Sequence, residues 1–300
     1  MNWLKICRGK IKFNEPLSKH TSFKIGGEAL IWFEPNSFND LAICLRSLYE
    51  NKTPYFVIGN GTNILVKDSG FKGVVIRLSS PNFKRIKIDR KNRSIRVGAG
   101  ASLMAFLNFL VVRGIYGYEF LAGIPGTLGG AIVMNAGVKL NDKRKEIGSF
   151  VKKITAMQAN GTIKELTKGQ LFFDYRSSNL EKYIVLEAEL KIVRIDSQDP
   201  DNRIQDYLLY RKQRLDCSFP NAGSIFKNPS DAIAAGYLID RCGLKGLRIG
   251  GAIVSNKHAN FILNFNNAKA EDVLKLINKI KSDVKKSFGI KLEEEIKIVS

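Results

Sequence analysis

Hydrophobic residues recur along the chain at two spacings, which predict a mixture of helices and strands. Across residues 270–288, apolar side chains lie three and four residues apart, so they form one stripe on a helix that Gly289 ends. Further helices are predicted at 40–49, 102–113, 204–214 and 231–242. Short or alternating apolar runs predict strands at 30–34, 55–59, 73–78, 152–158, 162–166, 183–194 and 290–299. These elements indicate an α+β protein.

Capping and turn residues mark the ends of two predicted elements. Ser102 can cap the helix that follows it, because its side-chain oxygen can accept an N–H of the first turn, and Gly114 can end that helix. Asn160 and Gly161 separate two predicted strands, and this pair is typical of a type I′ hairpin turn. The segment 152–166 is therefore predicted to be a hairpin.

The length and composition allow two domains. The chain has 300 residues, of which 44% are hydrophobic, and this suffices for two separate cores. Polar residues and Pro200 at 196–202 mark the predicted boundary. We therefore predict an N-terminal segment at 1–19, a first domain at 20–197 and a smaller second domain at 198–300.

The net charge of +20 raises the question of an anionic partner. The densest basic run, residues 84–96, alternates Lys and Arg with Ile, which predicts two strands at 85–89 and 94–97 with one solvated face. A positive field that attracts an anionic substrate is the alternative explanation. Nucleic-acid platforms interleave aromatic residues with basic ones, and this run has Ile instead, so nucleic acid is not an expected partner.

Several classes of protein do not fit this sequence. No apolar run approaches the roughly 18 residues that span a bilayer, and charges interrupt the N-terminus too early for a signal peptide. The four cysteines are not paired at two-residue spacing and are expected to be reduced thiols. Only two histidines are present, so no metal site is expected, and His258 is expected to form structural hydrogen bonds. We expect a cytoplasmic protein without a membrane partner.

Two glycine-rich segments are candidates for ligand binding. Residues 59–65 follow a predicted strand, and successive N–H groups in such a loop can cradle a phosphate. Taken alone, this segment is better explained as a plain turn. Residues 123–137 contain five glycines and suit neither a helix nor a strand. Buried irregular backbone needs hydrogen-bond partners, which a bound dinucleotide would supply. A packed structural loop is the alternative for this second segment.

Seven segments, in order and correctly spaced, carry a resemblance that covers nearly the whole chain. They are residues 16–27, 59–65, 123–137, 173–178, 221–229, 252–261 and 292–296. Together they resemble the UDP-N-acetylenolpyruvoylglucosamine reductases, the flavoenzymes of peptidoglycan precursor synthesis. The short interval between Arg176 and Ser224 resembles the subclass that lacks a substrate-clamping tyrosine loop.

The chain departs from the family pattern at four places. After Asn135-Ala136-Gly137, the usual Ala-Tyr/His-Gly is replaced by Val-Lys-Leu and a slightly longer basic loop. The usual Gln-Pro-Leu is Gln-Arg-Leu at 213–215, and the usual Glu-Pro-Glu is Glu-Glu-Glu at 293–295. The usual terminal glycine is Ser300.

The resemblance implies an FAD-binding domain of the vanillyl-alcohol-oxidase (PCMH) type, followed by an α+β substrate-binding domain. FAD and NADPH are the implied cofactors. The implied reaction reduces the enolpyruvyl ether of UDP-N-acetylglucosamine enolpyruvate to the lactyl ether of UDP-N-acetylmuramate, and a monomer acting on this small UDP-sugar is expected. The resemblance assigns sixteen residues to FAD: Gly59, Asn60, Gly61, Thr62, Asn63, Gly123, Ile124, Pro125, Gly126, Thr127, Gly129, Gly130, Ala131, Asn135, Ala136 and Gly137.

Three catalytic residues are also implied. Arg176 would bind the substrate carboxylate, Glu295 would be a protonated partner of the same carboxylate, and Ser224 would protonate the α-carbon. Without the family, the sequence favours a surface ion pair for Arg176, a turn position for Ser224 and one of three strand or tail carboxylates for Glu295. The motif context reverses this preference. The candidates for holding the nucleotide and its pyrophosphate are Lys227, Asn228, Arg214 and Lys257.

Two other functions fit parts of the sequence. An FAD-dependent alcohol or sugar oxidase would share the fold, and it would consume oxygen during turnover. A basic nucleic-acid-binding protein would explain the net charge, although the absence of aromatic residues from the basic run argues against it.

Overall fold

The computed structural model of the chain describes residues 3–140, 143–193 and 200–300. Within these ranges the α-helices are α1 (Trp3–Ile6), α2 (Phe38–Glu50), α3 (Leu103–Val111), α4 (Leu128–Val133), α5 (Pro200–Arg214), α6 (Ala235–Arg241) and α7 (Ala270–Phe288). The β-strands are β1 (Lys10–Pro16), β2 (Glu28–Glu34), β3 (Tyr55–Ile58), β4 (Ile64–Val66), β5 (Phe71–Arg77), β6 (Ile86–Asp89), β7 (Ser94–Gly98), β8 (Gly137–Leu140), β9 (Lys143–Glu146), β10 (Val151–Met157), β11 (Ile163–Thr167), β12 (Phe173–Asp174), β13 (Ser177–Ser178), β14 (Ile184–Lys191), β15 (Arg248–Ile249), β16 (Ala252–Val254), β17 (Ile262–Asn264) and β18 (Lys297–Val299).

The first of two compact units comprises residues 3–12, 31–59 and the described part of 73–209. Its main sheet is antiparallel, with the strand order β11-β10-β14-β7-β6. Ile154 lies opposite Ala188, which lies opposite Val97, and all three side chains are fully buried. They belong to one core with the buried faces of α2 and α3, and the removal of this apolar area from water stabilises the unit.

The second compact unit comprises residues 13–30, 60–72 and 210–300. The apolar stripe of α7 lies in its core, together with Phe23, Ile25 and Leu65 from the two early segments. β18 pairs in parallel with β4, and this pairing joins the end of the chain to the segment 60–72. The unit also contains the three-stranded sheet β15-β16-β17.

The start of α7 is capped by a residue that is distant in sequence. The two carboxylate oxygens of Asp68 accept hydrogen bonds from the N–H groups of Ala270 and Glu271, at 2.9 and 3.1 Å. These N–H groups have no partner within the helix, and a negative charge is favourable at a helix N-terminus. Asp68 therefore fixes the segment 60–72 to α7 within the same unit.

Most predicted elements are confirmed. The helix predicted at 270–288 has these limits in the structure, and Gly289 ends it with a left-handed φ of 71°. Ser102 caps α3, because its Oγ accepts a hydrogen bond from the Ala105 N–H at 3.1 Å. Gly114 is also left-handed, with φ 65°, but α3 ends at Val111, before the predicted limit of 113.

Three predictions about local structure were wrong in detail. The hairpin β10-β11 is present, but only Gly161 has a positive φ (81°), whereas a type I′ turn also requires one at Asn160. The loop is three residues long, because the Gln158 N–H donates to the Thr162 carbonyl at 2.8 Å. The helix predicted at 231–242 begins at Ala235, and the strand predicted at 290–299 is reduced to β18 and a single bridge at Glu294.

The compact units are built from alternating segments of the chain. Residues 13–30 and 60–72 group with 210–300, and the described residues before and between these segments form the other unit. The predicted domain limits, 20–197 and 198–300, stay a prediction. The polar boundary at 196–202 lies partly outside the described residues.

Candidate active site

The glycine-rich segment 123–137 forms a loop, then α4, and then enters β8. Gly123 and Gly126 have φ values of 71° and 135°, which residues other than glycine rarely adopt. Thr127 caps α4, because its Oγ1 accepts a hydrogen bond from the Gly130 N–H at 3.3 Å. Thr127 and Gly129 are buried, whereas Gly123 and Gly130 are exposed, so the segment is partly buried, as predicted.

The residues around α4 fit a flat, phosphate-bearing cofactor. A Cβ on Gly59 would lie 2.6 Å from Thr127 Oγ1, and a Cβ on Gly129 would lie 2.8 Å from Ala99 Cβ. Glycine at both positions therefore lets the end of β3 and the first turn of α4 approach their neighbours closely. At exposed Gly130, the nearest atom to a Cβ would be Thr127 Oγ1, at 3.5 Å. The surface over this turn is thus open and lined by small residues.

Asn135 is a buried polar residue that follows α4. It has a left-handed φ of 44° and is only 2% exposed. Its Nδ2 donates to Glu146 Oε2 at 2.9 Å and to the Asp174 carbonyl at 3.0 Å. Its Oδ1 accepts a hydrogen bond from the Gly148 N–H at 2.9 Å. The Asn135 side chain therefore holds three separate segments of the first unit together.

Arg176 lies in the two-residue turn of the hairpin β12-β13. Its φ is 56°, a left-handed conformation that is sparsely populated by residues other than glycine. The hairpin is attached to α4, because Ser178 Oγ donates to the Val133 carbonyl at 2.7 Å. Arg176 Cζ lies 5.2 Å from the centre of the Tyr175 ring, within the range of a cation–π contact. The segments around Asn135 and Val133 thus position the candidate catalytic arginine.

In the second unit, Ser224 and Glu295 lie on adjacent backbone segments. The Glu295 N–H donates to the Ile225 carbonyl at 2.8 Å, and Phe226 forms a β-bridge with Glu294. Ser224 forms another bridge with Phe261 on its other side. The structure therefore brings together three of the motifs that carry the resemblance, at 221–229, 252–261 and 292–296.

Two asparagines fix the backbone around these candidates. The Asn260 side chain accepts a hydrogen bond from the Phe226 N–H at 2.9 Å and donates to the Phe226 carbonyl at 2.8 Å. Asn63 Nδ2 donates to the Glu295 carbonyl at 3.1 Å, and the Asn63 carbonyl accepts from the Lys297 N–H at 2.9 Å. Asn63 was assigned to the cofactor, and its side chain here holds the Glu295 backbone. Asn260 is a site residue that the sequence analysis missed.

The four residues proposed to hold the nucleotide all lie within the second unit. Lys227 Nζ lies 3.8 Å from a Glu293 carboxylate oxygen. Asn228 Oδ1 accepts a hydrogen bond from the Ala235 N–H, so this side chain caps α6. Arg214 Nη1 donates to the Tyr210 hydroxyl at 3.1 Å, and Lys257 Nζ donates to the Lys212 carbonyl at 2.7 Å.

A buried carboxylate network supports the loop that carries Lys257. Burial alone would raise the pKa of Asp216, but hydrogen bonds from the hydroxyls of Ser218 and Ser255 outweigh it and hold this pKa below its ordinary value. Ser255 Oγ accepts hydrogen bonds from the N–H groups of Lys257 and His258, both at 3.0 Å. The sequence analysis missed this network, because nothing in the sequence indicates that Asp216 and Ser255, which are far apart in the chain, are in contact.

His258 forms structural contacts within the second unit. Its Nδ1 accepts a hydrogen bond from the Asn260 N–H at 3.3 Å, and its ring lies 4.7 Å from the Phe261 ring. Burial, together with the positive charges of Lys245 and Arg214, lowers the pKa of His258. These contacts agree with the predicted hydrogen-bonding role.

The basic run at 84–96 forms β6 and β7, as predicted. In the sheet, Lys87 lies opposite Arg96, which lies opposite Glu189, which in turn lies opposite Lys153. An acidic side chain therefore interrupts the row of basic ones, and this arrangement is typical of a solvated strand face.

The part of the chain that the structure describes contains neither a metal-binding cluster nor a membrane-spanning helix. In residues 3–140, 143–193 and 200–300, no group of three or more His, Cys, Asp or Glu side chains is placed to hold a metal ion. In the same ranges, no helix has both the length and the apolar character needed to cross a membrane.

Comparison with known proteins identifies the family. A family model described as the C-terminal domain of UDP-N-acetylenolpyruvoylglucosamine reductase matches residues 213–299, and one described as an FAD binding domain matches residues 29–167. A UDP-N-acetylenolpyruvoylglucosamine reductase of Caldanaerobacter subterraneus is 42% identical over 97% of this chain and 94% of its own length. The chain belongs to the UDP-N-acetylenolpyruvoylglucosamine reductase family.

Further members of this family agree in sequence and structure. The enzyme of Desulforamulus reducens is 41% identical over 98% of this chain and 95% of its own length. The crystal structure of the Thermus caldophilus family member has a TM-score of 0.80 and 32% identity, and it covers 98% of this chain and 100% of its own. These comparisons confirm the predicted fold, an FAD-binding domain combined with the family's C-terminal domain.

Proposed function

We propose that this protein uses NADPH to reduce the enolpyruvyl ether of UDP-N-acetylglucosamine enolpyruvate, giving UDP-N-acetylmuramate for peptidoglycan precursors. The observation that carries the proposal is the direct backbone hydrogen bond between Glu295 and Ile225, which places Glu295 beside the segment that begins at Ser224. An acid and a hydroxyl from distant motifs are thus held on neighbouring segments, as the reaction requires. Membership of the family supports the same activity.

Each catalytic candidate has a role that follows from its chemistry. Bound FAD would carry hydride equivalents from NADPH to the substrate. Addition of hydride to the vinyl carbon leaves negative charge on the α-carbon and the adjacent carboxylate. Arg176 would stabilise that charge with a bidentate guanidinium, and a protonated Glu295 would donate to the same carboxylate. The Ser224 hydroxyl would donate the proton that the α-carbon receives.

The exposed Gly130, where a Cβ would meet no atom closer than 3.5 Å, supports the assignment of the FAD residues. We propose that FAD is held by the residues assigned from the resemblance at 59–63 and 123–137. Among them, the Asn135 and Asn63 side chains are engaged in internal hydrogen bonds, so we propose that they position the loops. Lys227, Arg214 and Lys257 would provide positive charge for the substrate pyrophosphate.

The proposed activity also implies where the protein works and in what form. We propose that it is a cytoplasmic monomer that acts on nucleotide substrates. The basic surface would attract the anionic substrate and NADPH, with no nucleic-acid partner.

The binding of FAD is tested first. The purified protein should be yellow, with about one FAD per chain, and acid precipitation should release all of the colour into the supernatant. Colour that stays in the pellet would show a covalent link, and a colourless native protein would contradict the proposed function.

The proposed role of Ser224 is tested by measuring two half-reactions separately. These are the reduction of the flavin by NADPH and its reoxidation by the substrate. The Ser224→Ala variant should still be reduced by NADPH, but its reoxidation by substrate should slow by a factor of about 10² to 10⁴, the usual loss of a positioned acid. Ser224→Cys, which keeps a proton, should recover part of the rate. Exposed Ser230 offers a matched control on the same loop, and Ser230→Ala should resemble wild type. Stopped-flow absorbance measures each step, and wild-type reoxidation of Ser224→Ala would remove Ser224 from the mechanism.

A further inference from the structure

The Tyr175 ring, next to the candidate catalytic arginine, contacts a second guanidinium group. Arg144 Cζ lies 4.5 Å from the ring centre, closer than Arg176 Cζ at 5.2 Å. Both distances are within the range of cation–π contacts. Arg144 belongs to β9, in the basic hairpin β8-β9 that replaces the usual family pattern after Gly137. The contact therefore involves a feature in which this chain departs from its family.

The same hairpin also reaches the Tyr175 turn by a second route. Arg144 Nη1 lies 3.7 Å from Glu146 Oε1, and Glu146 Oε2 accepts a hydrogen bond from Asn135 Nδ2 at 2.9 Å. The Asn135 amide then donates to the carbonyl of Asp174, the residue before Tyr175. These contacts form a closed ring, in which the side chain of Arg144 contacts the aromatic ring while Glu146 and Asn135 hold the backbone.

Arg176 needs such support because of its own conformation. Its left-handed φ of 56° is sparsely populated for an arginine and persists only where the surroundings fix it. An arginine side chain has many rotamers, and a misplaced guanidinium binds its anion poorly. Contacts that hold the turn and the Tyr175 ring therefore restrict the positions open to the Arg176 guanidinium.

We propose that Arg144 is a positioning residue for Arg176, acting through its cation–π contact with Tyr175. The inference rests on the proposed function, because it takes Arg176 as the group that binds the substrate carboxylate. It predicts a specific defect, since reduction by NADPH does not need the carboxylate-binding arginine, whereas reduction of the enolpyruvyl group does. A general contribution of positive charge would instead be shared by other basic residues of the hairpin.

The test is stopped-flow kinetics of both half-reactions in a double-mutant cycle. Arg144→Ala should slow reoxidation by the enolpyruvyl substrate about fivefold, the size of a partly exposed cation–π contact, and leave reduction by NADPH unchanged. Lys143→Ala removes the same charge from an exposed position of the same strand and should resemble wild type. In a Tyr175→Leu background, Arg144→Ala should cause no further slowing, because the contact is already absent. Arg144→Lys should lie between wild type and Arg144→Ala, since lysine keeps the charge without the planar stack.

Three results would overturn the inference. One is reoxidation of Arg144→Ala at the wild-type rate, and another is equal slowing in Lys143→Ala. The third is additive slowing by Arg144→Ala and Tyr175→Leu. Failure of the proposed function looks different, because wild-type protein would then be reduced by NADPH but not reoxidised by the substrate. Thermal unfolding of the same variants tests the contact without substrate, and additive shifts of the midpoint would contradict it.

Discussion

Replacing Asn135 by alanine tests how the first unit positions its candidate site. The change removes three hydrogen bonds, to Glu146, Asp174 and Gly148. It also places an alanine in the left-handed conformation that Asn135 adopts. Gly148 is buried, so its N–H loses a partner that water cannot easily replace, whereas Asp174 and Glu146 are partly open to water. The energetic cost should therefore be unequal among the three partners.

The magnitude follows from these exposures. The three lost contacts together should cost roughly 2 kcal/mol, most of it from the Gly148 N–H. Alanine in a left-handed conformation should add about 1 kcal/mol, because asparagine tolerates this region better. The sum, about 3 kcal/mol, should lower the thermal midpoint by about 6 °C, using the shift of about 2 °C per kcal/mol expected for a chain of 300 residues.

Asn267 provides a matched control for backbone strain. It is exposed and has a φ of 49°, close to the 44° of Asn135. Asn267→Ala should therefore lower the midpoint by only about 2 °C, the share expected from the left-handed conformation. Scanning calorimetry or circular dichroism of the three proteins measures the midpoints. Equal shifts in Asn135→Ala and Asn267→Ala would refute the idea that the Asn135 hydrogen bonds hold the unit together.

Three further predictions concern stability, pH and charge. Asp68→Ala should cost about 1 to 2 kcal/mol in unfolding free energy, because α7 loses both capping bonds, and unchanged stability in urea would contradict this. Because the folded-state pKa of Asp216 is lowered, its ionised form contributes stability at neutral pH that is lost as the pH falls below about 4. Asp216→Asn should therefore be less stable at pH 7 and lose less stability on acidification, and parallel pH profiles would show that the network is unimportant. In a gel-shift assay at about 150 mM salt, the protein should form no tight complex with nucleic acid, and a salt-resistant complex would show that the basic surface has another partner.

The fold was predictable from sequence where the signals are local. The stripe on α7 and the caps at Ser102 and Gly289 each depend on residues within a few positions of one another. The hairpin at Gly161 was predicted for the same reason. Its turn type was not, because a type I′ turn needs a positive φ at Asn160, and an Asn-Gly pair favours this value without requiring it. The grouping of 13–30 and 60–72 with 210–300 depends on long-range packing and carries no periodic signal.

The candidate site was predictable only as a set of residues. Motif resemblance assigned Arg176, Ser224 and Glu295, but it could not show that the Glu295 N–H bonds to the Ile225 carbonyl. It also assigned Asn135 to the cofactor, and the structure shows the Asn135 amide engaged with two other segments, at 146–148 and at 174. Such roles depend on hydrogen-bond partners far away in the chain, which a single sequence does not reveal.

The central claim is tested most directly by an anaerobic titration of the wild-type protein. After reduction with one equivalent of NADPH, the bleached flavin band should return in full when one equivalent of UDP-N-acetylglucosamine enolpyruvate is added, with formation of UDP-N-acetylmuramate. Recovery only after the admission of oxygen would indicate an oxidase and would contradict the proposed reaction.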